Sequence, residues 1–302
     1  MDFDAELIRA LQEDGRASIQ SLAARLEQPR SAVSTRLRRL LDDGTVRVVA
    51  AVDPALLGQH VLAHVSIRTR DAVESVAGHL RGLDSTVLVS AIGGAHDLVT
   101  EVRVSSMTEL HDELALIRRL PGVVAISTLI YASVAKGFFV SDYTGDLAID
   151  DTDVALIELL QRDGRASFRA LGETVRLSPS AVAARVLRLV DGGVIKISAV
   201  EARGLAHRQL SMGVGLSITG DDGAVIESLR SWRGVDFAAF TLGRFDAVVT
   251  LVEPSAGALY ERLEQIRALP GVDHVEAWLH LAVLKEDYTS GAGFSGSRKA
   301  SS

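Results

Sequence analysis

Ser18 to Leu41 reads SIQSLAARLEQPRSAVSTRLRRLL, two short amphipathic segments around a break at Glu27-Gln28-Pro29. In the second segment Val33, Leu37, Leu40 and Leu41 recur at the spacing of one helix face. Ser31, Ser34, Thr35 and Arg38 fall on the opposite face, flanked by Arg36 and Arg39. Pro29 cannot continue the preceding helix, and Arg30 or Ser31 begins the next one, so the two helices turn sharply. A helix over Ala5 to Glu13, with Leu7, Ile8 and Leu11 inward, supplies the third wall of a small core. This is a three-helix helix-turn-helix plan, whose last helix enters the DNA major groove with its N-terminal and outward side chains on base edges. Small hydroxyls and arginines suit that task, because hydroxyls accept several bases while arginine prefers guanine edges or phosphates. The plainer alternative is a helical hairpin with a solvated basic face.

The 302 residues suit two to four domains. Apolar residues make up 47% of the chain, and no apolar run reaches the roughly 18 residues of a membrane span, so a soluble protein with no membrane partner is expected. The opening MDFDAELIRA has neither a cationic start nor an apolar signal region, which implies a cytoplasmic location. With no cysteine, disulfides, thiol nucleophiles and zinc-thiolate fingers are excluded. A net charge of -7 lowers nonspecific affinity for DNA without ruling out specific binding, which depends on local clusters such as the arginines at 30, 36, 38 and 39.

The strongest organisational signal is an internal repeat. LIRALQEDGRAS, from Leu7 to Ser18, returns as LIELLQRDGRAS from Leu156 to Ser167, a shift of 149 positions. The same shift carries Arg36 to Arg185, Arg39 to Arg188, Leu40 to Leu189, Gly44 to Gly193, Gly94 to Gly243 and Asp97 to Asp246, and Leu-Pro-Gly-Val at Leu120 falls on Leu269. A period this long exceeds any solenoid unit and indicates tandem copies of a whole two-domain module.

Within each module the helical part ends at a turn, Asp42-Asp43-Gly44, and a strand pattern, Val46 to Val52, that reads as a wing. Strands are then expected over Val61 to Ile67, Thr86 to Ile92, Leu98 to Val104 and Val123 to Tyr131, with helices over Val73 to Leu80 and Met107 to Leu120. The order β-α-β-β-α-β is the ferredoxin-like sandwich, and copy two repeats it from Leu210 to His280. The fold class is therefore α+β, two winged helix-turn-helix domains alternating with two ferredoxin-like domains. The expected boundaries are 1–58 and 59–140 for the first module, 141–151 for a polar linker, 152–207 and 208–289 for the second module, and 290–302 for a disordered low-complexity tail.

Taken together these marks resemble the leucine-responsive and asparagine-responsive (Lrp/AsnC) family of regulators, twice over and across nearly the whole chain. The resemblance rests on Asp14-Gly15-Arg16, Leu22-Ala23, Arg36 to Leu40, Gly44-Thr45-Val46, Asp53-Pro54 and Leu57-Gly58, then Gly94-Ala95-His96-Asp97 and Leu120 to Val123. Copy two adds Leu177-Ser178-Pro179-Ser180 and Gly243-Arg244-Phe245-Asp246. It implies transcriptional regulation through double-stranded DNA, with the ferredoxin-like half dimerising and binding an amino acid or similar small metabolite near the glycine-aspartate turn. On that implication Gly93, Gly94, His96 and Asp97 form one effector site, with Ser127 and Thr128 closing it from a paired copy, and Gly243, Arg244, Phe245 and Asp246 form the second. Backbone amides at a glycine-rich hairpin can meet a carboxylate and the Asp an ammonium; alternatively these are hairpin residues alone. His96 departs from the aromatic usual in the family, and Ala277 stands where copy one has Thr128, so unequal sites are expected.

The two recognition helices also differ. Where copy one turns Ser34, Thr35 and Arg38 outward, copy two has Ala183, Ala184 and Leu187. Copy one is therefore expected to supply most base readout, while Ser178, Ser180, Arg185 and Arg188 of copy two contribute phosphate anchoring or shape readout, with apolar contact to thymine methyls as its remaining base contact; the alternative is that Leu187 packs against its neighbours and copy two no longer binds DNA. The ferredoxin-like domains are expected to pair within one chain, with further homo-oligomerisation.

No enzyme motif is present: there is no His-Glu-x-x-His helix, no Gly-x-Ser-x-Gly elbow and no Gly-Lys-Ser loop, and no metal or cofactor is expected. Asp42-Asp43 and Asp150-Asp151 sit in a turn and beside the linker, where cap roles outweigh acid-base work. The rival enzyme class is siroheme decarboxylase, which shares the regulator fold. It would be expected to carry an Arg-Arg-x-Gly-Ala run and a His near the wing, where this chain reads Val46-Arg47-Val48-Val49-Ala50-Ala51-Val52 and, in copy two, Ile195-Lys196-Ile197-Ser198. A third class is an assembly protein that does not bind DNA.

Overall fold

The computed structural model describes residues 3–70, 73–137, 147–201 and 209–288. Most of the expected linker at 141–151 and the whole tail at 290–302 lie outside them. The chain divides into two compact units, and each draws on both halves of the sequence: residues 1–56 with 141–202, and residues 57–140 with 203–293.

The first unit holds the helical domains. Helices α1 (Phe3–Glu13), α2 (Ile19–Arg25) and α3 (Arg30–Asp42) bury Leu7, Leu11, Leu22, Val33, Leu37 and Leu40 against one another. Ser18 caps α2 by accepting from the Ser21 amide at 3.0 Å. The break after α2 is made by Glu27, which takes a left-handed conformation (φ 52°), and Pro29 then opens α3. After strand β1 (Val46–Val52) the chain turns through a short 3-10 segment, Pro54–Leu57, toward the second unit.

Copy two supplies the same plan to this unit: α6 (Asp151–Arg162), α7 (Phe168–Val175), α8 (Pro179–Asp191) and β6 (Ile195–Glu201). Arg176 (φ 59°) stands where copy one has Glu27. Strand β1 is no wing hairpin of its own domain. It pairs antiparallel with β6 along its whole length, from Val46 opposite Glu201 to Val52 opposite Ile195. One short strand per helical domain leaves its ladder groups unpaired at home, and the other copy satisfies them.

The second unit holds the sheets. From copy one come β2 (Val61–Thr69), α4 (Val73–Arg81), β3 (Thr86–Gly93), β4 (Leu98–Val104), α5 (Met107–Arg119) and β5 (Val123–Lys136). From copy two come β7 (Leu210–Ile218), α9 (Asp222–Arg230), β8 (Val235–Leu242), β9 (Ala247–Glu253), α10 (Ala256–Arg267) and β10 (Val272–Glu286). The orders β3-β4-β2-β5 and β8-β9-β7-β10 are those of two ferredoxin-like sheets. They join at both edges, β5 to β8 and β10 to β3, closing an eight-stranded antiparallel barrel. Closure removes all four sheet edges.

Alternation along each strand sorts the side chains. Ala63, Val65 and Ile67 of β2 face α4 and α5 in one core, and Val214 and Leu216 of β7 face α9 and α10 in its counterpart. Residues of the opposite parity, among them Ile92, Val99, Leu129, Phe245, Val248 and Trp278, meet in a third cluster between the two sheets. Among the described residues no helix is long and apolar enough to cross a membrane.

Candidate nucleic-acid interface and effector turns

On α3 the structure leaves Arg30, Ser31, Thr35, Arg38 and Arg39 exposed, with Ser34 half-buried beside them. These six residues form one polar face with three cations. Arg36 does not belong to it. Its guanidinium grips the carboxylate of Asp4 through both Nε and Nη2, tying α3 to α1. Its place among the DNA contacts is therefore corrected: a half-buried arginine already in a bidentate ion pair is a brace between helices.

Copy two is corrected further. Arg185 Nη1 bonds Asp150 Oδ2 at 2.7 Å and Asp153 Oδ1 at 2.8 Å, and Arg188 Nη2 bonds the other oxygen of Asp153 while its Nη1 donates to the Ala148 carbonyl at 3.2 Å. Asp153 is fully buried, and it completes a capping box with Asp150 at the start of α6. Both arginines expected to anchor phosphate thus neutralise a buried carboxylate. The sequence signal was available, since Asp4 and Arg36 recur 149 positions on as Asp153 and Arg185. Ser178 caps α8, accepting from the Ala181 amide at 3.2 Å, and its hydroxyl meets that of Ser180 at 3.1 Å. In place of the basic face, α8 exposes Ala184, Leu187 and Val190, with Leu187 57% accessible.

The glycine-aspartate turns carry a different geometry from the one expected for a ligand ammonium. Asp97 Oδ2 accepts from the Thr69 amide at 2.7 Å, and Asp246 Oδ2 accepts from the Ile218 amide at 2.7 Å, one repeat further on. Both carboxylates pin the β3–β4 or β8–β9 turn to the end of a neighbouring strand 28 positions back in the chain, a tertiary bond and not one within the turn. Gly94 packs against Ala277 and Trp278, and Gly243 packs against Thr128 and Leu129. Thr128 therefore closes the turn at Gly243 instead of the one at Gly94, while Gly93 touches Leu281.

Around the first turn His96 is half-buried, near Arg244, Glu276 and Arg68, and burial followed by the Arg244 charge lowers its pKa. Arg244 forms a bidentate pair with Glu276, 2.8 Å on each arm, and lies 4.3 Å from the centre of the Phe245 ring. Phe245 itself is buried in the cluster between the sheets. The two turns thus differ in every side chain except glycine and aspartate.

The two folded units, a helix-turn-helix pair and a pair of ferredoxin-like sheets, define an α+β protein of the winged-helix regulator class. Three family profiles match: a winged helix-turn-helix DNA-binding domain over residues 2–47, the Lrp/AsnC ligand binding domain over residues 60–137, and an AsnC-type helix-turn-helix domain over residues 149–190. An uncharacterised HTH-type transcriptional regulator of Pyrococcus abyssi is 32% identical over 138 residues, 45% of this chain and 87% of the relative. The HTH-type transcriptional regulator LrpA of Mycobacterium tuberculosis is 33% identical over 132 residues, 43% of this chain and 88% of that one. The chain belongs to the Lrp/AsnC family. Its helix-turn-helix and ligand-binding domains are those of DNA-binding transcription regulators. Among solved structures, the siroheme decarboxylase NirDL superposes with a TM-score of 0.64 over 96% of this chain and 94% of its own, at 16% identity, a likeness of fold alone.

Proposed function

We propose that the protein is a sequence-specific transcription regulator built as a tandem fusion of two family modules, with copy one reading the bases. The single observation that carries this reading is the exposed face of α3, where Arg30, Arg38 and Arg39 surround Ser31, Ser34 and Thr35. Exposed hydroxyls and guanidinium groups along the outward face of a recognition helix suit base edges and phosphates, with Arg30, Ser31, Ser34 and Thr35 in its N-terminal half and Arg38 and Arg39 further on. Copy two, with Arg185 and Arg188 committed to Asp153, offers apolar contact to thymine methyls or shape readout in place of phosphate anchoring. Such unequal heads prefer an asymmetric site.

The modules of this reading span 1–58 with 59–140 and 152–207 with 208–289, acting in the cytoplasm. The β5–β8 and β10–β3 ladders support an intrachain pseudo-dimer of the ferredoxin-like domains, able to assemble further with copies of itself. A small metabolite, an amino acid or a relative of one, modulates DNA binding through the second unit. Selection of bound fragments from sheared genomic DNA, with and without the twenty amino acids, tests the DNA-binding and effector parts of this reading. An enriched asymmetric motif is expected, and a uniform background in both conditions would sink the regulator reading.

The fold shared with a siroheme decarboxylase raises an enzyme alternative, and one feature counts against it. The Arg-Arg-x-Gly-Ala run and histidine expected beside the wing strand are missing, since residues 46–52 read VRVVAAV and residues 195–198 read IKIS. A tetrapyrrole rim of carboxylates needs cations there. Absorbance after addition of siroheme, with product analysis, checks this directly.

A further inference from the structure

Among the described residues, two that are not glycine have a left-handed backbone: Glu27 (φ 52°) and Arg176 (φ 59°). They are the same position of the repeat, 149 residues apart, where the chain passes from the first helix of each helix-turn-helix to the second. A side chain with a Cβ is disfavoured in this region, and glycine or asparagine ends most helices there without that penalty. Helix termination alone therefore gives no reason for a charged residue at either turn. It gives still less for charges of opposite sign.

The turn in copy two is tightly made. The amides of Arg176 and Leu177 both donate to the Gly172 carbonyl, Leu177 at 3.0 Å, and a Cβ at Gly172 would stand 2.5 Å from the Leu177 oxygen. The Cα of Arg176 is thus fixed between α7 and α8, and the residue is exposed. Four arginines lie on α7, the turn and α8. Arg169 pairs with Glu173, and Arg185 and Arg188 pair with Asp153. The side chain of Arg176 takes part in no hydrogen bond or ion pair among the described residues. In copy one Glu27 is exposed at the equivalent place.

In a docked helix-turn-helix the first helix crosses the sugar-phosphate backbone and the second enters the major groove, so the residue joining them passes close to the backbone. We propose that this residue decides how each head grips DNA: Arg176 anchors copy two to a backbone phosphate, and Glu27 keeps copy one from gripping at the same place. A guanidinium fork matches two phosphate oxygens, and a carboxylate repels them. The inference rests on the regulator reading. It returns to copy two, from the turn, the anchor that Arg185 and Arg188 of α8 do not supply. Copy one, with Arg30, Arg38 and Arg39 exposed on α3, grips through the recognition helix itself. The two heads thus meet their half-sites through different parts of one motif.

Binding isotherms of the full chain at several salt concentrations, on a fragment selected from genomic DNA and on a scrambled one, test this. R176G and R176Q should each lower the slope of log K against log salt by about one unit and weaken both fragments by the same factor, as loss of a phosphate contact does. R176K should keep the slope, and E27R should raise it by about one unit. R118A removes an exposed arginine from α5 in the sheet unit and should leave the slope unchanged, which controls for charge lost without contact. Glycine relieves the left-handed turn, so R176G should melt no lower than the unmodified chain, separating a lost contact from a lost fold. Should it melt lower, R176Q and R176K decide the matter. The proposal is overturned if R176Q keeps the slope or loses no more of it than R118A, or if E27R leaves it unchanged. An unmodified chain that binds neither fragment at any salt would sink the regulator reading, and this inference with it.

Discussion

Arg16 and Arg165 exchange places across the helical unit: each guanidinium binds the carbonyls of the turn that carries the other. Arg16 donates to Gly164 O at 2.6 Å and Ala166 O at 2.9 Å, and Arg165 donates to Gly15 O at 2.6 Å and Ala17 O at 3.0 Å. The same turns dock on the paired strands. The Gly15 amide bonds Ile197 O at 3.0 Å and the Gly164 amide bonds Val48 O at 2.8 Å, and a Cβ at Gly15 would stand 2.7 Å from that Ile197 oxygen. The Asp-Gly-Arg motif found twice is thus the fastening between the two helical domains, with glycine for close approach and arginine for the clamp.

Replacing either arginine with alanine removes two charge-assisted bonds to half-buried carbonyls and should cost about 1–3 kcal/mol of unfolding free energy. Urea denaturation of R16A and R165A measures it. Arg16 also covers the Phe168 ring at 4.4 Å, so R16A should be the larger loss. Losses within about 0.5 kcal/mol of zero would mean that β1 and β6 hold the unit together unaided.

Asp153 and Asp4 occupy equivalent positions with unequal burial. The side chain of Asp153 is 0% exposed and answers two arginines, whereas that of Asp4 is 16% exposed and pairs with Arg36. Neutralising a buried carboxylate strands its partners, so D153N should cost about 3–5 kcal/mol, and D4N, which retains some solvation, less. Thermal unfolding of the two variants at neutral pH decides it; equal losses would show that burial does not set the difference.

Much of this was legible in the sequence. The helix faces, the turn at Pro29 and the β-α-β-β-α-β order follow from local periodicity, and β1 and β4 begin and end where the pattern of apolar residues does. What local pattern does not carry is the partner. Strand β5 was expected to stop at Tyr131 and continues to Lys136 because residues 130–136 pair with β8. Arg36, Arg185 and Arg188 read as surface cations because their carboxylates lie 32 to 35 positions away, beyond any helical repeat. The pairing of Trp278 with Gly213 is invisible one strand at a time, since each looks unexceptional until the two are set side by side.

DNA binding should divide the arginines along the same line. Arg38 is exposed on α3, while Arg188 is held by Asp153, so R38A should relax sequence preference or reduce the salt dependence of log K by about one unit. R188A should leave both unchanged once its effect on stability is allowed for. Binding isotherms on a selected fragment and a scrambled one, at several salt concentrations, separate the cases. A loss of about one unit of slope in R188A, with none in R38A, would return α8 of copy two to the phosphate backbone.

His64 gives the sheet unit a pH dependence of its own. It is buried in the barrel, its Nε2 3.2 Å from Ser66 Oγ and its ring 5.5 Å from that of Trp278. Burial, then the charge of Arg244 and the proximity of His96, lower its pKa to about 4. A histidine held neutral in the folded chain but free to protonate when unfolded costs nothing above pH 6.5. Below that the unfolded state takes up the proton first, and stability falls until the folded pKa near 4 is reached. The difference amounts to about 3 kcal/mol at most. H64Q removes the titration while keeping a group for Ser66, so its stability should fall less steeply than that of the unmodified chain between pH 6.5 and 4, by about one proton in the linkage slope. Parallel curves for the two proteins would mean that His64 protonates in place, with the barrel admitting water to it.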